Sequence, residues 1–291
     1  MRNKNTLSLP IQSAILATLA ALFMSVLMAI TKKMINPNIP TLLVVFVKSL
    51  FGLVFSLPFL GRNPKKIFQS NQYGLHGFRI LLVAATMLCT YYTYRQLSPS
   101  LATSLGMTGA LFKTVLAILI LKDKVDRIKW ICLLGGYLGI LCITQPHALM
   151  LEIGVVTALL ANFLAGLNTI ISKILSKQDS SFTIISYTNV GLPIIFGCLS
   201  YPHWTILALR DLLLLASVGA LGLSAHYCYL TALKKASASF VAPFEYIRLP
   251  FAFLIEFILF SKLPQFYTVL GSLLIITATG IITYRDRRMQ I

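Results

Sequence analysis

Between Lys235 and Lys262, in the apolar stretch ASASFVAPFEYIRLPFAFLIEFILFSKLP at 236–264, lie the charged residues Glu245, Arg248 and Glu256, and the single lysines Lys48 and Lys113 lie in other apolar runs. Carboxylates can pair with cations, hold an amine or carry a proton; ammonium and guanidinium groups can hold a carboxylate or phosphate. A charge near the middle of a spanning helix costs about 2.5–3.5 kcal/mol, so it is kept only where protein or water receives it. The run at 236–264 must therefore face something polar.

At 100° per residue, Glu245, Arg248 and Glu256 fall within roughly 80° of one another, and Ala238, Ala242 and Ala252 share their face. Pro243 and Pro250 lie opposite, and each frees a carbonyl one turn earlier, on Ser239 and Tyr246. The spacing predicts a kinked helix lining a central cavity, with Glu245 and Arg248 able to pair at i, i+3. A structural ion pair in a bent bundle helix satisfies the same pattern.

Composition sets what must position these groups. The 291 residues are 57% hydrophobic and 11% charged, with a mean hydropathy of +0.82, which is the composition of a membrane chain. A net charge of +17 would suggest nucleic acid in a soluble protein, but the Lys and Arg residues cluster between apolar runs, where they act as topology signals, so no nucleic-acid partner is expected. Cys89, Cys132, Cys142, Cys198 and Cys228 lie inside apolar runs without CxxC spacing, which suits small buried hydrophobes. His76, His147, His203 and His226 are scattered, so no metal or other cofactor is expected. Arg2, Lys4 and the run from Ile11 resemble a signal peptide, but the many later runs favour an uncleaved first span.

Apolar runs of spanning length occur at 11–31, 41–60, 78–96, 101–121, 128–145, 152–172, 183–201, 210–232, 238–260 and 266–284. The longest connection, 61–77, leaves no room for a soluble domain. With the N-terminus inside, the inner side carries 17 Lys and Arg and the outer side 5, which predicts cytoplasmic N- and C-termini. Arg79 is counted with the inner loops.

Internal similarity is weak but regular. AITKKMI at 29–35 lies over TIISKIL at 169–175, placing Lys33 on Lys173, and TYYTYRQLSPSLATS at 90–104 lies over HYCYLTALKKASASF at 226–240, placing Tyr91 on Tyr227. The expected fold is an all-α membrane protein of ten transmembrane helices in two inverted five-helix repeats, 1–145 and 146–291, because an odd number of spans inserts the second unit upside down. Such an arrangement places a site near the midplane, where the halves meet.

Two further features bear on that site. Gly106, Gly109, Ala110 and Ala117 share the side of Lys113, leaving room for close approach. Asn162, Ala165, Gly166 and Thr169 form a small, polar stripe that suits helix contact as well as ligand groups. For Lys48 and Lys113 the alternative is snorkelling to an interface.

The segment PFEYIRLPFAFL at 243–254 resembles the signature of the drug/metabolite transporter superfamily in its ten-helix EamA-type branch. Arg79, the connection YRQLSPSLATSL at 94–105, and Lys48 at a place usually held by Arg extend the resemblance over nearly the whole chain. It departs where the family shows Gly-Glu near the ends of its fourth and ninth spans: Lys122-Asp123 and Ser261-Lys262 stand there. The resemblance implies movement of small metabolites across the bacterial inner membrane, with S-adenosylmethionine or riboflavin import in some members and export of amino acids or related compounds in others.

The expected substrate-binding residues are Lys48, Lys113, Asn162, Glu245, Tyr246 and Arg248. Lys48, Lys113 and Arg248 against Glu245 make the interior net positive, which favours an anionic or zwitterionic metabolite. Arg248 and Lys113 are expected to hold its anionic end, and Glu245 its cationic end or a coupled proton, with Tyr91, Tyr92, Tyr227, Tyr229 and Tyr246 supplying ring faces. An S-adenosylmethionine or other nucleoside-like cofactor importer is the alternative within this class. A polytopic enzyme, for which no GxSxG, HExxH or paired-carboxylate motif is present, a channel and a membrane assembly subunit are the readings outside it. The sequence fits a monomer and a homodimer equally as the working unit.

Overall fold

A computed structural model describes residues 9–33, 38–60, 68–97, 99–144, 153–260 and 266–289. Among these residues the regular elements are all helical, and ten helices are long and apolar enough to cross a membrane. The first three spans are Leu9–Lys33, Thr41–Leu60 and Tyr73–Gln96. The fourth is broken into Pro99–Met107 and Gly109–Leu121. The next four are Arg127–Thr144, Ile153–Leu175, Ser181–Ser200 and Leu209–Lys235. The ninth is a turn at Ala238–Val241, a 3₁₀ stretch at Ala242–Ile247 and the helix Arg248–Phe260; the tenth is Phe266–Met289. Every apolar run expected from the sequence corresponds to one span, eight as single helices and the fourth and ninth in pieces, with ends shifted by a few residues. The expected unit boundary at 145/146, Ser261-Lys262 and the side chains of Lys33 and Glu256 lie outside the described residues.

Spans pack in a regular scheme. The first lies along the eighth and the third along the sixth, while the second lies along the seventh and the fifth along the tenth. Exchanging each span for the one five places away turns the first pair into the second and maps the other two pairs onto themselves. Small residues make the close approaches possible. A Cβ on Gly219 of the eighth span would stand 2.7 Å from Phe51 Cβ and 3.0 Å from the Lys48 carbonyl oxygen of the second.

The fourth and ninth spans are the most interior, with 56% of their residues buried against 28–44% in the other eight. Both are the broken ones, because interior position lets neighbours satisfy the backbone groups that a break releases. In the ninth, the 3₁₀ stretch begins at Ala242 with Pro243 in its first turn, and Arg248 resumes the α-helix, which agrees with the kink expected from the prolines. Outward positions carry large apolar side chains such as Leu119, Ile131, Leu213 and Ile258, as a lipid-facing surface requires. The cysteines are free, but only Cys132 is buried and Cys198 is exposed, so the expectation of five buried thiols is corrected.

Polar ties gather at the end of the bundle where the first span begins. Asp179 accepts from Ser70 Oγ at 2.8 Å and meets His76 Nε2 at 2.9 Å, with the His76 ring stacked on Tyr187. Lys173 donates to the carbonyls of Leu233 and, at 2.6 Å, Ala236, covering the C-terminus of the eighth span. The Lys122-Asp123 pair also has a structural role here. Lys122 adopts the left-handed conformation (φ 56°, ψ 34°) that a glycine takes readily, and the Asp123 carboxylate accepts from Ser239 N at 3.2 Å and Oγ at 3.1 Å, so it caps the start of the ninth span.

Candidate functional site

A chamber of about 290 Å³ lies inside the bundle, walled by the first, second, third, fourth, sixth, eighth and ninth spans. Its charged lining is Lys48, Arg79, Lys113, Glu245 and Arg248, each on a different span except the last two. The 3₁₀ stretch explains how the ninth span supplies both Glu245 and Arg248 to one wall. Tightening to three residues per turn brings positions i and i+3 onto the same line, and Pro243 removes the donor that would have continued the α-helix.

Glu245 is paired with Lys113, not with Arg248. The Lys113 ammonium donates to Glu245 Oε1, with the two side chains 9% and 22% exposed, and also stands 5.7 Å from the centre of the Tyr229 ring. Snorkelling therefore does not describe Lys113, which is held at depth between the two broken spans. The i, i+3 spacing permits an ion pair within the helix, but an interhelical cation sits closer. Tyr229 in turn shares a hydrogen bond of 3.2 Å with Thr169 of the sixth span. Arg248 lies against sulfur, with Nη2 3.7 Å from Met107 Sδ, and its Nε is buried without a hydrogen-bond partner among the described residues.

Asn162 and Tyr246 lie away from the chamber. The Asn162 amide donates to the Leu105 carbonyl at 2.8 Å, to Thr108 Oγ1 at 3.2 Å and to its own helix at Ala158, so it services the break in the fourth span. Its oxygen sits where a Cβ on Gly109 would come within 3.0 Å, which explains the small residue there. The stripe that Asn162 heads is thus a helix contact at this position, although Ala165 and Thr169 further along do reach the chamber. Tyr246 is 1% exposed and packs on the fifth span, where a Cβ on Gly136 would meet its ring at 2.7 Å. Of the five tyrosines expected to offer ring faces, Tyr229 alone lines the chamber, and Phe244 joins it there.

Two lining groups escape the sequence reading. Arg79, counted with the inner loops, is 4% exposed and sits nearly two turns into a helix that starts at Tyr73, five residues before the apolar run itself. It donates from Nε to Ser172 Oγ at 2.8 Å and from Nη1 to Thr188 Oγ1 and the Ile184 carbonyl. Its only sequence signal is the resemblance at that position. His226 lines the chamber on the eighth span; with Cys228 as its one neighbour able to ligate or react, it gives no motif in the sequence. With Arg79 included, four cations face one carboxylate, a net formal charge of +3 rather than the +2 counted without it.

The sequence profile of the EamA-like transporter family matches residues 11–145 and again 152–284. The chain belongs to the EamA-like transporter family. It is 23% identical over 259 residues to the S-adenosylmethionine uptake transporter of Rickettsia prowazekii (strain Madrid E), covering 89% of this chain and 88% of the relative. Against the riboflavin transporter of Vibrio cholerae serotype O1 it is 26% identical over 278 residues, 94% of this chain and 93% of that one. A crystal structure described only as that of a protein superposes with a TM-score of 0.80 at 12% identity, covering 96% of this chain and 99% of the other, which shows a shared fold. This EamA-like chain is a multi-pass membrane protein of a family whose named members here are transporters rather than enzymes.

Proposed function

We propose that this chain is a secondary transporter that moves a small anionic or zwitterionic metabolite across a bacterial inner membrane by alternating access, with the central chamber as its substrate site. The observation that carries the proposal is the chamber's lining of four cations against a single carboxylate, drawn from spans of both halves. Such an interior stays favourable only when water or a ligand of opposite charge occupies it. Lys48, Lys113, Glu245 and Arg248 are the substrate-contacting residues in this reading, joined by Arg79 and His226. Glu245 exchanges Lys113 for the cationic end of a zwitterion or for a proton.

The exchange relation among packing partners and the two stretches matched by the family profile support two five-helix repeats, 1–145 and 146–291, in opposite orientation. Removing Arg79 from the loop count leaves 16 cations against 5, which still supports cytoplasmic termini. Rocking one repeat against the other would open the chamber to each side in turn.

A nucleoside-like cofactor is the second reading, favoured by the Tyr229 and Phe244 rings on the chamber wall and by relatives named for S-adenosylmethionine and riboflavin. Counterflow in proteoliposomes against amino acids, dicarboxylates, nucleotides, S-adenosylmethionine and riboflavin tests both. Saturable, trans-stimulated uptake of at least one compound is expected, whereas flux that rises linearly with concentration and shows no trans-stimulation would exclude a carrier.

A further inference from the structure

Behind the main chamber lies a recess of about 50 Å³ that shares Lys48, Arg79, Gly222 and His226 with it and adds Ser49, Thr188 and Asn189. We infer that this recess is an oxyanion subsite, in which Lys48, Arg79 and His226 hold a carboxylate or phosphate group of the transported metabolite. The inference rests on the transport reading and reassigns the anionic end, which the sequence places on Lys113 and Arg248.

A nearby carboxylate distinguishes the two groups of cations. Lys113 is paired with Glu245, and Arg248, three residues further along the ninth span, lies within electrostatic reach of the same carboxylate. In contrast, Lys48 has no hydrogen-bond or ion-pair partner among the described residues, so its three N–H groups are available. Arg79 is fixed by donations from Nε and Nη1 to the sixth and seventh spans, while its Nη2 edge has no partner among the described residues. A guanidinium locked on two nitrogens and open on the third is preorganised for an acceptor. The three acceptors on Arg79 are neutral, and among the described residues no carboxylate forms an ion pair with Lys48, Arg79 or His226, since the one in the main chamber, Glu245, is paired with Lys113.

Local packing aims Lys48 at this recess. The second span meets the eighth backbone to backbone at Gly219, and the Lys48 stem then passes Gly222, where a Cβ would touch its Cε at 3.8 Å. His226 follows Gly222 by four residues on the same helix face and lies within electrostatic reach of both Lys48 and Arg79. Three converging donors with no internal anion define a site for an external one. The recess accepts one small oxyanion head while the rest of the molecule occupies the larger chamber beside Tyr229 and Glu245.

The test uses the full chain in lipid nanodiscs, with acetate and inorganic phosphate as probes replacing chloride at constant ionic strength, and thermal stability as the readout. At least one probe is expected to stabilise the wild type saturably, and the one that acts at lower concentration identifies carboxylate or phosphate. Lys48→Met and His226→Leu, both apolar replacements that fold readily in such surroundings, should each raise the half-saturating concentration about tenfold or more, and Lys48→Arg should restore it. Lys177→Met, which removes the same charge from an exposed position, should respond like the wild type. No saturable response of the wild type, or a response that survives Lys48→Met and vanishes in Lys113→Met, overturns the subsite. The counterflow screen fails separately: oxyanion binding that depends on Lys48 without carrier flux overturns transport alone, and carrier flux indifferent to Lys48 overturns the subsite alone.

Discussion

Glu245→Gln should destabilise the protein through Lys113, because the variant leaves a 9% exposed ammonium without its carboxylate. Removing one member of a buried pair costs about 3–5 kcal/mol, and the 22% exposure of Glu245 onto the chamber puts this pair at the lower end, about 3 kcal/mol. For a chain of this length that corresponds to a fall in Tm of roughly 6 °C. Lys113→Met should cost a similar amount by stranding the carboxylate. The double variant Lys113→Met/Glu245→Gln strands neither charge, so it should lose about 3 kcal/mol or less instead of about 6, a coupling of about 3 kcal/mol. Thermal unfolding of the four proteins in nanodiscs measures the cycle. Additive losses, within about 0.5 kcal/mol, would refute the pairing of the fourth and ninth spans through these residues.

Three further outcomes are expected. Asn162→Leu should lower stability by about 1–2 kcal/mol, measured as Tm in nanodiscs, while leaving the KM of the transported compound unchanged, since the amide serves the break at Thr108 and not the chamber. Gly219→Ala, whose added Cβ meets Phe51 and the Lys48 carbonyl, should cost about 1–3 kcal/mol by forcing the second and eighth spans apart, read as a lower Tm and a smaller folded fraction on size-exclusion chromatography. Lys122→Gly should raise Tm by roughly 2 °C, corresponding to about 1 kcal/mol of relieved left-handed strain, with no change in transport rate.

Helix-forming information is local, and so it is legible in the chain. Continuous apolar runs give all ten spans, and Pro243 and Pro250 give the distortion of the ninth, because both follow from bilayer thickness and backbone chemistry. The convergence of Lys48, Lys113, Glu245 and Arg248 is legible for the same reason: a charge inside a span must find a polar interior. Partner choice is not local. The helical wheel places Glu245 and Arg248 on one face, yet which cation reaches the carboxylate depends on how the fourth span docks, and that docking depends on Asn162 and Gly109 meeting at the break. Arg79 hides for a related reason: a helix that starts at Tyr73, ahead of the apolar run, carries an apparent loop cation into the interior. Tyr246 shows the limit of residue type, since its ring fits the space over Gly136 rather than the chamber beside it.

The claim on which the account depends is that water and substrate share one charge-lined chamber between the spans. Ala225, a small residue on the chamber wall, can be replaced by cysteine in a chain whose five native cysteines are changed to serine, and its reaction with a water-soluble, membrane-impermeant maleimide followed in proteoliposomes. The account predicts labelling that is slowed by the compound identified in counterflow, with half-protection at the concentration that half-saturates transport. A cysteine at Ala225 that never labels, or labels at the same rate with and without that compound, would contradict it.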